Sequence, residues 1–273
     1  MTTPKSFDVT TSSGVRLSCA EQGDPAGPAL LLVHGYGDSW RSFGPLMAAL
    51  PQTYRMVAVT LRGHGDSGKP DAGYTLADFA GDLPAVLDHC GIQGAIVVGH
   101  SMGSFIAQRF TLDHPESVRA LVLIGALSTL KDNVAVGGMW DAVLAPMTDP
   151  VDPAFVREFQ EGTLARPVAP TFWDTIISES FKLPARTWRD AFRGMLDADL
   201  TPDLHRIAVP TLIVWGDKDS ICDRAMQKLL VTSIPGARLE IYEGNGHAPH
   251  WEDPERVAAD LATFLGRAEL AAD

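Results

Sequence analysis

The sequence predicts an α/β protein in which a mostly parallel twisted sheet is flanked by helices and interrupted by a small all-helical insertion. Six short apolar runs are near-continuous rather than alternating, which marks strands buried on both faces. Most are followed by a turn and a helix-like pattern, and that alternation builds a parallel sheet covered on both sides. From about Leu127 to about His205 no strand pattern occurs, and Pro146, Pro150, Pro153, Pro167, Pro170 and Pro184 cut the chain into short helical pieces.

The elements follow in chain order. "FDVTTSS" (7–13) and "VRLSCAEQ" (15–22) read as an antiparallel pair joined at Gly14. The six buried-strand runs are "ALLLVHG" (29–35), "RMVAVT" (55–60), "AIVVGH" (95–100), "ALVLIG" (120–125), "TLIVWG" (211–216) and "RLEIYEG" (238–244). Flanking helices are expected over 75–91, 104–114, 223–234 and 254–268, with Gly91 and Pro115 as stop signals. Inside the insertion, Asp152-Pro153 and Ala169-Pro170 resemble helix starts with proline in the first turn. The domain reading is therefore a core of residues 1–126 and 206–273 with a helical cap of residues 127–205.

Composition narrows the partners. The 273 residues are 45% hydrophobic and 21% charged, as in ordinary soluble globular proteins. The formal net charge is −12 with no basic run, so nucleic acid and anionic membrane surfaces are opposed by long-range repulsion. The N-terminus lacks an apolar signal core and no apolar run is long enough to span a bilayer, so a cytoplasmic location is expected. Cys19, Cys90 and Cys222 have no metal or redox spacing and read as small buried hydrophobes. The sequence is compatible with a homodimer.

The chemistry starts at "AIVVGHSMGSFIAQRF" (95–110). A Gly-x-Ser-x-Gly between strand and helix lets the chain turn sharply. The glycines remove colliding side chains, and Ser101 points its hydroxyl outward. Alone, such a motif is also a plain turn with an N-cap serine. A serine hydroxyl needs a base, and the base needs an orienting acid. Asp217 and Asp219 end one later strand, and His247 follows the next in a glycine-flanked loop. In a doubly wound sheet these loops open at the same edge as the serine. The order Ser101, Asp219, His247 is that of the nucleophile-elbow hydrolases.

These motifs together resemble the α/β-hydrolase superfamily over nearly the whole chain. The residues that carry the likeness are "HGYG" (34–37), "RGHGDS" (62–67), "GHSMG" (99–103), "GDKD" (216–219) and "GHAPHWEDPE" (246–255). The resemblance implies Ser101 as nucleophile, Asp219 rather than Asp217 as acid, and His247 rather than His250 as base. It implies an oxyanion hole made by the backbone N–H groups of Tyr36 and Met102. His34 and "RGHGDS" are expected to brace loops, with Thr60 where relatives often carry aspartate. The expected substrate contacts are Tyr36, Trp140, Phe155, Phe159, Trp173 and His250.

The expected reaction is hydrolysis of a small, largely apolar carboxylic ester or lactone through an acyl-enzyme, without metal or organic cofactor. A serine at this position is unlike the aspartate of haloalkane dehalogenases and epoxide hydrolases. The eight histidines include no H-E-x-x-H helix. Three rivals stay open. One is hydrolysis of a C–C bond in ring-cleavage products, whose relatives often carry tryptophan where this chain has Ala248. The second is cofactor-free, haloperoxidase-like perhydrolysis. The third is a small-molecule receptor with a slow triad.

Overall fold

The computed structural model describes residues 3–131 and 134–269. The described residues form one eight-stranded sheet with the order β1-β2-β4-β3-β5-β6-β7-β8. The strands are β1 (Lys5–Thr10), β2 (Arg16–Gly23), β3 (Ala29–Val33), β4 (Arg55–Val59), β5 (Ala95–His100), β6 (Val118–Ile124), β7 (Thr211–Gly216) and β8 (Arg238–Tyr242). β1 pairs with β2, and β2 with β4, in antiparallel fashion. From β4 through β8 every pairing is parallel.

Strand periodicity divides the apolar residues between two cores. Leu30, Leu32, Met56, Ala58, Ile96, Val98, Val122, Ile124, Leu212 and Val214 pack on one face with Leu46 and Met47 of α1 (Gly44–Ala49) and Val257 and Leu261 of α10 (Pro254–Glu269). The alternate residues Leu31, Val33, Val57, Val59, Val97, Leu121, Leu123 and Ile213 pack with α2 (Leu76–His89) and α3 (Met102–Asp113). Burying each such side chain is worth roughly 1.5–3 kcal/mol, so the central strands anchor the fold. α2 starts on a capping box in which Thr75 and Asp78 satisfy each other's backbone amides.

Three elements differ from the sequence expectation. α3 begins at Met102, two residues early, because the turn at Ser101 leads straight into it. A 3-10 turn (Trp40–Phe43) and the six-residue α1 follow β3, too short a pair for periodicity to register. β8 is an edge strand on which only Tyr242 is buried, so the expectation of burial on both faces fails there.

Between β6 and β7 the described residues contribute no strand to the sheet. They form α4 (Val134–Met139), a π turn (Trp140–Leu144), α5 (Pro153–Glu161), α6 (Pro170–Ser180), α7 (Ala185–Leu196) and a 3-10 turn (Thr201–Arg206). An isolated bridge between Thr129 and Asp199 draws the ends of this helical segment together. Asp152 caps α5 by accepting from the Ala154 amide at 2.8 Å, with Pro153 in the first turn. Leu144, Val156, Trp188, Phe192 and Met195 join the core on the α2–α3 side. The last helices are α8 (Arg224–Ser233), α9 (Pro249–Glu252) and α10. No described helix is long and apolar enough to cross a membrane.

Candidate active site

Ser101 stands between the last residue of β5 and the first of α3. Its φ of 52° and ψ of −120° make it the one non-glycine residue with positive φ among those described. L-residues avoid this region, so the surrounding turn must hold it there. Close packing supplies that hold. A Cβ on Gly103 would lie 2.0 Å from the Val33 carbonyl oxygen, and one on Gly99 would lie 2.3 Å from that of Gly103. Only glycine lets β3, β5 and α3 converge so closely.

The loops after β7 and β8 bring two further groups to the same rim. Asp219 Oδ2 accepts from His247 Nδ1–H at 2.8 Å. Its Oδ1 accepts from the amides of Ile221 and Cys222, each at 2.8 Å. The carboxylate is thus fixed on three donors, which commits His247 to the tautomer with a bare Nε2. That Nε2 is buried and has no hydrogen-bond partner. Gly125, with φ of 53°, leaves room for the imidazole, since a Cβ there would lie 2.9 Å from Nδ1. Asp217 does something else. Its Oδ1 accepts from the Gly244 amide at 2.6 Å, which holds its carboxyl below the usual range and ties the loop after β7 to the loop after β8.

The loop carrying His247 is bonded to the helical segment. The His247 amide donates to the Thr163 carbonyl at 2.8 Å. Glu252 takes the Gly246 amide on Oε2 at 2.9 Å and the Ala165 amide on Oε1 at 2.7 Å.

The two amides expected to form an oxyanion hole belong to Met102 and Tyr36. Met102 opens α3, so its N–H has no carbonyl upstream within the helix. The Tyr36 amide makes no hydrogen bond among the described residues. His34 braces this loop, accepting from the Leu61 amide on Nε2 at 2.9 Å and donating from Nδ1 to the Gly35 carbonyl at 2.7 Å. Burial holds it neutral, well below the usual histidine range. Thr60 also braces it, since its hydroxyl accepts from the Trp40 amide at 3.1 Å. Arg62 of "RGHGDS" is buried against Asp82 through two hydrogen bonds, of 2.7 and 2.5 Å.

A cavity of about 390 Å³ lies between the sheet rim and the helical segment. Ser101 and His247 line it together with Tyr36, Phe155, Phe159 and Phe192. Tyr36 is fixed by donating its hydroxyl to the Trp188 carbonyl, and its ring meets Phe159 and Trp188 edge-on. Three expected contacts fall outside this lining. Trp173 lies on a separate groove with Leu164 and Pro167, because α6 turns that face away from the rim. Trp140 stacks behind Phe192, at 6.4 Å between ring centres, and so backs the wall without forming it. His250 is buried behind His100, at 4.4 Å between rings, and burial pushes it down to about 3.

Asp219, Cys222 and His247 place a carboxylate, a thiol and an imidazole within 4.8 Å of one another. These donors do not suit a metal as they stand. The carboxylate is committed to three hydrogen bonds, and burial pushes the Cys222 thiol well up, keeping its proton on.

The family model for the alpha/beta hydrolase fold matches residues 28–254. The chain belongs to the α/β-hydrolase family. Among solved structures, the esterase RhEst1 from Rhodococcus sp. ECU1013 is 28% identical with a TM-score of 0.83, covering 96% of this chain and 98% of that one. Est816, described as an N-acyl homoserine lactone degrading enzyme, is 25% identical with a TM-score of 0.79, covering 94% and 100%. Among curated relatives, a non-heme haloperoxidase of Rhodococcus erythropolis is 28% identical over 277 residues, covering 94% of this chain and 98% of the relative. This α/β hydrolase carries the family's mostly parallel sheet, with Ser101 in the turn between β5 and α3.

Sequence reasoning missed several lining residues. Asp38, Gln160, Thr163 and Ser220 put polar groups on the cavity wall. Asp38 had a readable signal, an acid directly after "HGYG" at a buried loop. Gln160 and Thr163 had none, because a polar residue in a short amphipathic helix or its C-terminal turn looks solvent-facing.

Proposed function

We propose that this α/β hydrolase cleaves a carboxylic ester or lactone of a small, largely apolar molecule, with Ser101 as nucleophile, His247 as base and Asp219 as orienting acid. One observation carries the reading. The buried His247–Asp219 pair leaves Nε2 bare at a cavity that the strained Ser101 also lines. In this mechanism Nε2 takes the serine proton as Oγ attacks the carbonyl. The tetrahedral oxyanion is held by the Tyr36 and Met102 amides, and His247 then protonates the leaving group. Water reverses the path and frees the acid. The cavity suits this chemistry, since a mostly apolar wall excludes water around the reacting carbonyl.

The test is Ser101→Ala across a panel of aryl esters, aliphatic esters and lactones, with labelling by a fluorophosphonate. Turnover and labelling are expected to vanish while the fold persists. Retained ester turnover in that variant removes Ser101 from the mechanism. A second reading is favoured by the haloperoxidase relatives. In it peroxide, instead of water, intercepts the acyl-enzyme, and the same panel run with hydrogen peroxide and a carboxylic acid separates the two.

A further inference from the structure

The carboxyl of Asp38 lies in the cavity wall, 2% exposed, and the triad does not use it. Its surroundings fix where protons must be. The Ser180 hydroxyl donates its one proton to the Ile176 carbonyl at 2.9 Å, so it accepts from Gln160 Nε2 at 2.9 Å. The other hydrogen of that amide goes to Asp38 Oδ1 at 3.0 Å. On the far side, His100 Nε2 faces the His247 carbonyl at 3.2 Å, where only an N–H is favourable. His100 Nδ1 is therefore a lone pair. It is buried without a partner and lies 3.8 Å from Asp38 Oδ2. Gly35 separates the two groups, and a Cβ there would lie 2.8 Å from Nδ1 and 3.0 Å from Oδ2. The unpartnered Nδ1 lone pair faces a carboxylate oxygen beside a glycine, and a proton on that carboxyl removes the conflict.

We propose that Asp38 is a positioning residue whose neutral carboxyl links the helical segment to the nucleophile turn, accepting from Gln160 on α5 and aiming its proton at the unpartnered Nδ1 of His100, which at 3.8 Å is in electrostatic contact and one small side-chain rotation from a hydrogen bond. The link runs from α5 through Asp38 and His100 to the backbone of His247, and His100 is the residue before Ser101. Its catalytic consequence rests on the serine-hydrolase reading; the proton link itself does not.

The electrostatic setting agrees. Burial raises the Asp38 carboxyl to about 7, against the lowering influence of Gln160, of His247 and of the Gly35 amide. Burial, with His250, His247 and His34 nearby, holds His100 well below the usual histidine range, so the shared proton rests on the carboxyl. Glu158 lines the same cavity from α5. The sign follows. A carboxyl raised in the folded state contributes stability that is complete below the ordinary carboxylate range and is lost as pH rises through about 7.

The experiment compares wild type, Asp38→Asn and Asp38→Ala. Asparagine offers His100 an N–H at every pH and still accepts from Gln160, whereas alanine does neither. Melting temperatures are measured from about pH 5.5 to about pH 8.5, with kcat/KM from about pH 6. The melting temperature of Asp38→Asn relative to wild type is expected to climb by several degrees across that range. The ratio of wild-type to Asp38→Asn kcat/KM is expected to fall by roughly fivefold or more over the same span. Asp38→Ala is expected to melt below Asp38→Asn throughout. A melting difference that does not change with pH, or alanine matching asparagine, overturns the proton link. A climbing melting difference with a flat kcat/KM ratio overturns the positioning role. If Ser101→Ala keeps its turnover, the melting series still decides the link.

Discussion

Asp219 Oδ2 and His247 Nδ1 are joined at 2.8 Å inside a buried pocket, while Asp217, two residues earlier, spends its carboxylate on the Gly244 amide. The two acids are therefore not interchangeable. Asp219→Asn would present the wrong partner to the imidazole and is expected to lower kcat on the order of 10⁴-fold, as loss of the orienting acid does in serine triads. Asp217→Asn is expected to stay within about threefold. Steady-state kinetics on one aryl ester check both, and equal losses would refute the assignment.

The backbone at Ser101 stores strain. Ser101→Gly should relieve the positive φ, whereas Ser101→Ala keeps it. The glycine variant is expected to be more stable than the alanine variant by about 1 kcal/mol, the strain relief exceeding the entropy that glycine brings to the unfolded chain. Urea titrations of the two inactive proteins measure this directly. An alanine variant as stable as the glycine one would mean that the turn is relaxed.

Acid should weaken the fold through its buried histidines. His64 is pushed down to about 4 and His250 to about 3 by burial. Such groups favour the native state above the ordinary histidine range. That contribution is lost as pH falls from about 6.5 toward their folded values, at roughly 1.4 kcal/mol per pH unit for each group. His250 has both ring nitrogens buried without partners and packs on Phe43. His250→Phe is therefore expected to flatten the acid limb, read as chemical denaturation midpoints between about pH 4.5 and about pH 7.5. A slope identical to wild type would count against this account.

The Arg62–Asp82 pair sits at 6% and 2% side-chain exposure. Asp82→Leu would leave the guanidinium buried without its anion, at an expected cost of about 3–5 kcal/mol. Arg62→Met combined with Asp82→Leu should recover most of that. A double-mutant cycle decides it, and additive losses would show the two residues acting independently.

Cavity residues should tune specificity, and residues off the cavity should not. Phe159→Ala is expected to shift the preference among acyl chain lengths by about tenfold in kcat/KM. Trp173→Ala, on its separate groove, should leave that ranking unchanged. A chain-length panel on both variants is the check.

The fold could be read from the sequence because buried parallel strands are written as unbroken apolar runs. The fifth and sixth strands are buried along almost their whole length, and their runs are unmistakable. β8 broke the rule because an edge strand carries Arg238 and Glu240 without penalty. Ser101 and His247 could be located because turn chemistry puts glycine within two residues of each, and Asp219 because it closes the Gly-x-x-Asp run after a buried strand. The cavity wall was far less legible. Trp173 and Phe159 look alike as residues, and only the rotation of a helix on its neighbours decides which one faces the cavity. Asp38 and His100 meet through space, across Gly35, which one-dimensional spacing does not encode.

Glu252 grips the strand-end loop and the connection after α5 with the two oxygens of one carboxylate. The His247 loop and the helical segment are therefore clasped into a single piece. Replacing the helical segment with one from a relative would tear that clasp unless the graft kept amides in place at 165 and 166 and a carbonyl at 163, and the imidazole would drift before any substrate contact was changed.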